Sequence, residues 1–178
     1  MKIFILTSSN NGSAAYHLPF LLSSKKIKIS GIVLVNYISS PQVLFLKKRL
    51  RKISKIGILG AINGFRMRKW YKQDVYKLLR YSDLKTLCSN ENIPLYEINN
   101  RPIREVERTI KSLNADLGIS LENTYISEST FSIPKSGMIN VHHELLPEYQ
   151  NAQSIIWQIY NGSNKTGFTI HKINKNID

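Results

Sequence analysis

Short apolar runs alternate along the chain with segments in which apolar residues recur every three or four positions. The apolar runs are typical of buried strands and lie at 2–6, 29–35, 94–98 and 116–120. The segments with helical spacing lie at 14–23, 82–88 and 102–113. This alternation predicts an α/β fold, in which a mostly parallel, Rossmann-like sheet is flanked by helices.

The predicted helices differ in how clearly they begin. Pro19 counts against a regular helix throughout 14–23, because proline lacks the amide hydrogen that a helix interior needs. Ser82 is a residue type that caps helices, and Pro102 fits the start of the next one. After Pro102, four apolar residues at helical spacing predict one buried stripe: Ile103, Val106, Ile110 and Leu113.

A further strand candidate at 138–142 carries polar groups. Successive side chains on a strand point to opposite faces, so Asn140 and His142 share one face, roughly 6.5–7 Å apart at their backbones. Ile139 and Val141 are expected to anchor the other face in a core. With a carboxylate to orient the imidazole, an amide and a histidine can stabilise an oxyanion and move a proton. This pattern indicates acyl transfer.

The stretch from Asp116 to Asp178 resembles the catalytic region of the folate-dependent formyltransferases, which include methionyl-tRNA, glycinamide ribonucleotide and sugar N-formyltransferases. The resemblance rests on an Asn-x-His pair, a Leu-Leu-Pro loop, a helix, a Thr-Gly-x-Thr-x-His strand and a closing Asp. The counterparts in this chain are Asn140 and His142, Leu145-Leu146-Pro147, residues 152–160, Thr166 to His171, and Asp178. Residues 1–36 are similar to the first strand, helix and strand of the family.

The resemblance implies that a formyl group passes from 10-formyltetrahydrofolate, as co-substrate, to a primary amine. It assigns catalysis to Asn140, His142 and Asp178, with Asp178 orienting the imidazole. Contacts to the folate are assigned to Leu117, Gly118, Ile119, Ser120, Leu121 and Tyr125. Contacts to the acceptor, including a phosphate near the first turn, are assigned to Asn10, Asn11, Gly12, Leu146, Pro147 and Tyr149. We expect His171 to pack or hydrogen-bond near the site rather than to react.

The chain departs from the family pattern in the loop after the catalytic strand and at its end. The loop has His143-Glu144 where the family commonly has Pro-Ser, and Gln150-Asn151 where it has Arg-Gly. The family also continues beyond the residue that corresponds to Asp178. We therefore expect 1–178 to be an N-terminal catalytic domain cut off at the catalytic Asp. The tRNA-formylating members carry a further C-terminal domain, which favours a nucleotide-linked amino sugar or another small amine over tRNA. A fragment of a methionyl-tRNA formyltransferase and a hydrolase of formylfolate are the alternatives.

The net charge of +13 is concentrated in one segment. Residues 47–80 hold 12 of the 25 Lys and Arg residues and a single acid, Asp74, within a predicted basic helical insertion at 41–80. Such a segment is either a solvated helix face or a surface that binds tRNA, a nucleotide-linked substrate or an anionic membrane. A truncated, non-catalytic relative that holds an anionic partner is therefore a second functional hypothesis.

The cysteine content, the length of the apolar runs and the spacing of the histidines bear on cellular location and on metal binding. The only cysteine, Cys88, has no partner for an internal disulfide, which is consistent with a reducing cytoplasm. No apolar run approaches the roughly 20 residues of a membrane span. The spacing of His142, His143 and His171 matches no common zinc motif, so no metal is predicted.

Overall fold

The computed structural model describes residues 1–37, 42–71, 82–100, 102–123, 125–150 and 154–175. The chain divides into two compact units, one formed by residues 1–37 together with 82–178 and the other by residues 38–81. The second unit overlaps the predicted basic insertion at 41–80, of which residues 41 and 72–80 lie outside the described residues.

The first unit is built on one six-stranded sheet. Its strands are β1 (Lys2–Thr7), β2 (Lys28–Asn36), β3 (Leu95–Asn99), β4 (Leu117–Leu121), β5 (Met138–His142) and β6 (Thr169–Lys172). Their order in the sheet is β3-β2-β1-β4-β5-β6. All neighbouring pairs are parallel except β5 and β6, which are antiparallel. The predicted fold class is therefore confirmed.

Within the described ranges, five helices of this unit connect the strands, and one further helix belongs to the second unit. In chain order the helices are α1 (Ser13–Leu22), α2 (Gln42–Tyr71), α3 (Leu84–Asn90), α4 (Ile103–Leu113), α5 (Glu128–Phe131) and α6 (Ser154–Tyr160). Helix α2 forms most of the second unit and is interrupted at Gly57, whose φ of 71° and ψ of 172° are not helical. No helix among the described residues is both long and apolar enough to cross a bilayer.

The main hydrophobic core lies between the sheet and α4. Val106, Ile110 and Leu113 pack in one cluster with Phe4, Leu6, Val33 and Met138 of the strands. Burial of such side chains stabilises the fold by roughly 1.5–3 kcal/mol each. Three of the four residues of the predicted stripe are thus in the core, whereas Ile103 is 47% exposed at the first turn of α4.

The interior of α1 and the start of α3 differ from the predictions. Helix α1 continues through Pro19, so the expected irregularity is wrong; burial of Ala14, Ala15 and Leu18 offsets the missing hydrogen bond. The residue that caps α3 is Asp83, not Ser82, and it accepts a hydrogen bond from the Thr86 amide at 3.1 Å. Hydrogen bonds from Thr86 hold the pKa of the Asp83 carboxyl below its usual range.

Strand β5 is most buried at its two ends rather than at Ile139 and Val141. Met138 and His142 are buried, whereas Ile139, Asn140 and Val141 are half-buried. Met138 belongs to the main core, and side chains of alternate residues share a face, so Asn140 and His142 continue the core-facing side. The polar pair is therefore an extension of the core surface toward the edge of the sheet.

Gly118 allows the close packing of β4 against its neighbours. A Cβ atom at position 118 would lie 2.6 Å from Cγ of Met138 and 2.7 Å from Cε1 of Phe4, both fully buried side chains. We expect Gly118→Ala to lower the free energy of unfolding by about 1–3 kcal/mol, measured by urea denaturation. The control is Gly64→Ala in α2, where a Cβ meets nothing within 4 Å and alanine favours the helix. Equal stability of Gly118→Ala and the parent chain would contradict this packing.

Candidate active site

The candidate site lies where three parallel strands end at the same edge of the sheet. In the register of the sheet, Leu6 of β1 is opposite Ser120 of β4, and Ser120 is opposite Asn140 of β5. The residues that follow these positions therefore leave the sheet together. In open α/β sheets this carboxyl edge is where ligands bind.

The amide of Asn140 is paired with His171 on the neighbouring strand. The two residues are directly opposite each other in the antiparallel ladder of β5 and β6. Nδ2 of Asn140 lies 3.3 Å from Nε2 of His171. Because Nδ2 can only donate, Nε2 of this imidazole accepts, which places the ring proton on Nδ1. The expectation that His171 hydrogen-bonds near the site is confirmed.

The imidazole of His142 is buried and held by the loop that follows β5. Its Nε2 lies 2.7 Å from the backbone carbonyl oxygen of Tyr149. A carbonyl oxygen only accepts, so Nε2 of His142 carries a proton. His142 and His171 are therefore in opposite tautomers, and the protonated nitrogen of His142 is a hydrogen-bond donor at the edge of the sheet.

The loop after β5 is fixed by a residue that sequence reasoning missed. Oγ1 of Thr169 donates to the carbonyl of Glu144 at 2.9 Å and accepts from the amide of Leu146 at 3.1 Å. The side chain of Glu144 is 1% exposed, and its Oε2 has no hydrogen-bond partner among the described residues. The signals in the sequence were Thr169 within the Thr-Gly-x-Thr-x-His stretch, with no role assigned to it, and for Glu144 an acidic residue beside the apolar Leu145-Leu146 pair.

The residues assigned to the acceptor fall into two groups. The first group lies in the loop near His142 and comprises Leu146, Pro147 and Tyr149; the Tyr149 carbonyl contacts the imidazole of His142. Asn10 instead holds the start of α3, since its Nδ2 lies 3.3 Å from Oδ1 of Asp83 and its Oδ1 accepts from the amide of Lys85 at 3.1 Å. Asn11 is exposed and Gly12 is buried. Their contact with a substrate stays a prediction.

The residues assigned to the folate are mostly inside the sheet. The stretch from Leu117 to Leu121 is β4 itself, paired with β1 on one side and β5 on the other. Side chains of Ser120 and Leu121 are buried, whereas Tyr125 is 71% exposed in the loop beyond the strand. Since the backbone of β4 is engaged in the sheet, the loop is the better candidate for the predicted contact.

Asp178 and Asn151 lie outside the described residues. Among the described residues, no group of three or more His, Cys, Asp or Glu side chains is placed to hold a metal ion. Cys88 is buried in α3, and burial raises the pKa of its thiol to about 11, so it is no nucleophile at neutral pH.

A family model described as formyl transferase matches residues 6–178 of the chain. Methionyl-tRNA formyltransferase of Clostridioides difficile is 38% identical over 103 residues, which are 57% of this chain and 33% of that protein. The same enzyme of Malacoplasma penetrans is 33% identical over 103 residues, covering 57% of this chain and 32% of that protein. The chain thus spans about a third of the length of these curated relatives.

Solved structures share the fold at low sequence identity. Phosphoribosylglycinamide formyltransferase from Anaplasma phagocytophilum superposes with a TM-score of 0.62 at 14% identity, covering 99% of this chain and 66% of that one. A formyltetrahydrofolate deformylase from Pseudomonas syringae pv. tomato gives a TM-score of 0.61 at 14% identity, covering 99% of this chain and 47% of that one.

The opposite tautomers of the two histidines can be measured directly. In ¹⁵N NMR of the imidazoles at a pH where both are neutral, Nε2 of His142 should resonate as a protonated nitrogen and Nε2 of His171 as an unprotonated one. His142→Ala and His171→Ala assign the signals among the four histidines of the chain. The reverse pattern would mean that Asn140 presents its carbonyl oxygen to His171.

Proposed function

The chain belongs to the formyl transferase family, and we propose that it transfers a formyl group from 10-formyltetrahydrofolate to a primary amine. The observation that carries this proposal is the placement of Asn140 and His142 on one face at the end of β5. An amide donor and a protonated imidazole nitrogen together suit the oxyanion that forms when an amine attacks a formyl carbonyl.

In this mechanism the neutral amine attacks the formyl carbon, and the new bond from carbon to nitrogen forms as the carbonyl oxygen gains negative charge. Asn140 donates its remaining Nδ2 hydrogen to that oxygen. The Nε2 hydrogen of His142, which the Tyr149 carbonyl accepts at 2.7 Å, turns from that carbonyl to the oxyanion as the charge develops. The negative charge then returns to form the carbonyl, and the bond from the formyl carbon to the folate nitrogen breaks. His142 participates in moving the proton of the attacking amine to that leaving nitrogen.

Two neighbours support this geometry. His171 fixes the direction of the Asn140 amide through the contact of 3.3 Å, so that one amide hydrogen remains for the oxyanion. Asp178 is proposed to orient the imidazole of His142 and to support its charge, which is the role that a carboxylate has beside a catalytic histidine.

The proposed acceptor is a primary amine, and several molecules that could carry this amine are compared. The relatives bear the names methionyl-tRNA formyltransferase and phosphoribosylglycinamide formyltransferase. The expected nucleotide-linked amino sugar has no counterpart among those names, so it stays a prediction to be tested beside the other two carriers. Hydrolysis of the formyl donor stays the alternative in which water replaces the amine.

A second candidate function is binding of an anionic partner such as tRNA through the basic segment. Residues 47–80 carry 12 basic residues and one acid, and among the described side chains of α2, Arg51, Lys55 and Arg66 are exposed. Apolar side chains are exposed on the same helix, among them Leu59 and Phe65. A helix of this kind can bind a polyanion whether or not the chain is an enzyme.

The proposed activity is tested by release of tetrahydrofolate from 10-formyltetrahydrofolate, with and without glycinamide ribonucleotide, amino-sugar nucleotides or methionyl-tRNA. We expect release that depends on one of these amines. His142→Ala should lower it by about 10²–10⁴-fold, because the proton carrier and one oxyanion donor are lost. His17→Ala, at an exposed position of α1, is the matched control and should retain activity.

Release without any amine would identify the hydrolytic alternative. A chain that is folded by circular dichroism but releases nothing with any acceptor would overturn the proposed transfer, as would full activity of His142→Ala.

The second candidate function predicts binding that weakens steeply with salt. In a plot of log K for labelled tRNA against log salt, the slope should become less steep by about 0.9 for each phosphate contact that is removed. The triple variant Arg51→Ala, Lys55→Ala and Arg66→Ala should therefore bind more weakly and with a smaller slope. The control removes the same charge from α4 at Arg104, Arg108 and Lys111, which are exposed. Equal slopes for the two triple variants would exclude the basic segment as the binding surface.

A further inference from the structure

The amino end of α1 is already occupied by a carboxylate of the chain itself. The backbone amide of Ser13 donates to Oε1 of Glu122 at 3.1 Å. The N-cap residue Gly12 provides no side-chain cap, and a Cβ atom there would lie 1.7 Å from Oε2 of Glu122. Glu122 therefore caps a helix that begins 109 residues earlier, and only a glycine at position 12 leaves room for its carboxylate.

The backbone around Glu122 is built to hold this carboxylate in place. Glu122 has a φ of 56°, in the left-handed region that a residue with a side chain adopts only when its surroundings require it. The hydroxyl of Ser8 donates to the Glu122 carbonyl, and Nδ2 of Asn123 donates to the Leu6 carbonyl at 2.6 Å. The loop after β4 is thus hydrogen-bonded to Leu6 in β1 and to Ser8, which follows β1.

The same carboxylate faces the end of the strand that carries the candidate catalytic pair. Nε2 of His143 lies 4.0 Å from Oε1 of Glu122, and His143 directly follows His142. Glu122 is 32% exposed at its side chain, so it borders the open edge of the sheet rather than the core. A group that approaches the first turn from the site therefore meets this negative charge.

We propose that Glu122 is a specificity-determining residue that excludes phosphate from the amino end of α1. The first amides of a ten-residue helix favour an anion, and Glu122 satisfies the amide of Ser13 from within the chain. A phosphate at this turn would have to displace the carboxylate or lie beside it, and like charges at contact distance repel. With respect to the acceptor this inference rests on the proposed formyl transfer: the amine that the chain uses presents no phosphate to this turn. It opposes the expected phosphate contact at Asn10 to Gly12.

The test uses inorganic phosphate and needs neither folate nor acceptor. Amide resonances of Gly12 and Ser13 are followed in ¹H–¹⁵N spectra while phosphate is added at constant ionic strength. We expect no saturable shift in the parent chain. Glu122→Gln removes the charge with little change of shape, and Glu122→Asn also suits the positive φ. Both variants should show saturable shifts at these amides, with affinity for phosphate raised by about tenfold or more.

The control is Glu128→Gln, which removes an exposed acid that pairs with Lys175 away from this turn. It should leave the Gly12 and Ser13 resonances insensitive to phosphate. Saturable binding of phosphate to the parent chain with the affinity of the variants would overturn the inference, and so would the failure of both folded Glu122 variants to bind. Because no turnover is measured, neither result depends on whether the chain transfers formyl groups.

Discussion

The parallel register of β1, β4 and β5 is the constraint on which the rest of the site depends. Since Leu6, Ser120 and Asn140 lie in one row across the sheet, the chain leaves all three strands at nearly the same level. Ser8 is consequently hydrogen-bonded to Glu122, and His143 lies 4.0 Å from the carboxylate of Glu122, although the three residues are distant in sequence. A shift of β5 by one residue would turn Asn140 and His142 to the other face and disperse the site.

In this register the polar side chains at the end of β5 need hydrogen-bond partners within the protein. His142 is buried and Asn140 is half-buried, so His142 in particular cannot rely on bulk water for hydrogen bonds. The antiparallel strand β6 supplies His171 opposite Asn140, and the loop after β5 supplies the Tyr149 carbonyl to His142. Each partner also selects a tautomer, which gives the two imidazoles different chemical roles.

The sequence predicts the strands and the polar pair well because both depend on local periodicity. The burial of β5 was predicted only in part: Ile139 and Val141 are half-buried rather than in the core, whereas Met138 on the other face belongs to the core cluster. The contacts of Asn10 with Asp83 and Lys85 join residues more than 70 positions apart, so no local pattern indicates them; its contact with a substrate stays a prediction. The role of Glu122 depends on a positive φ and on the contact between β1 and β4, and neither leaves a local pattern.

The distribution of charge opposes the distribution that a phosphate-binding edge would have. The chain has a net charge of +13, but 12 of its 25 basic residues lie within 47–80, whereas the carboxyl edge of the sheet carries Glu122 and the buried Glu144. Carboxylates at this edge attract an ammonium group and repel a phosphate, so they favour approach of the amine end of an acceptor. The proposed contact with the amine thus rests on the acidic edge of the sheet, whereas the proposed binding of a polyanion rests on the basic charge of residues 47–80.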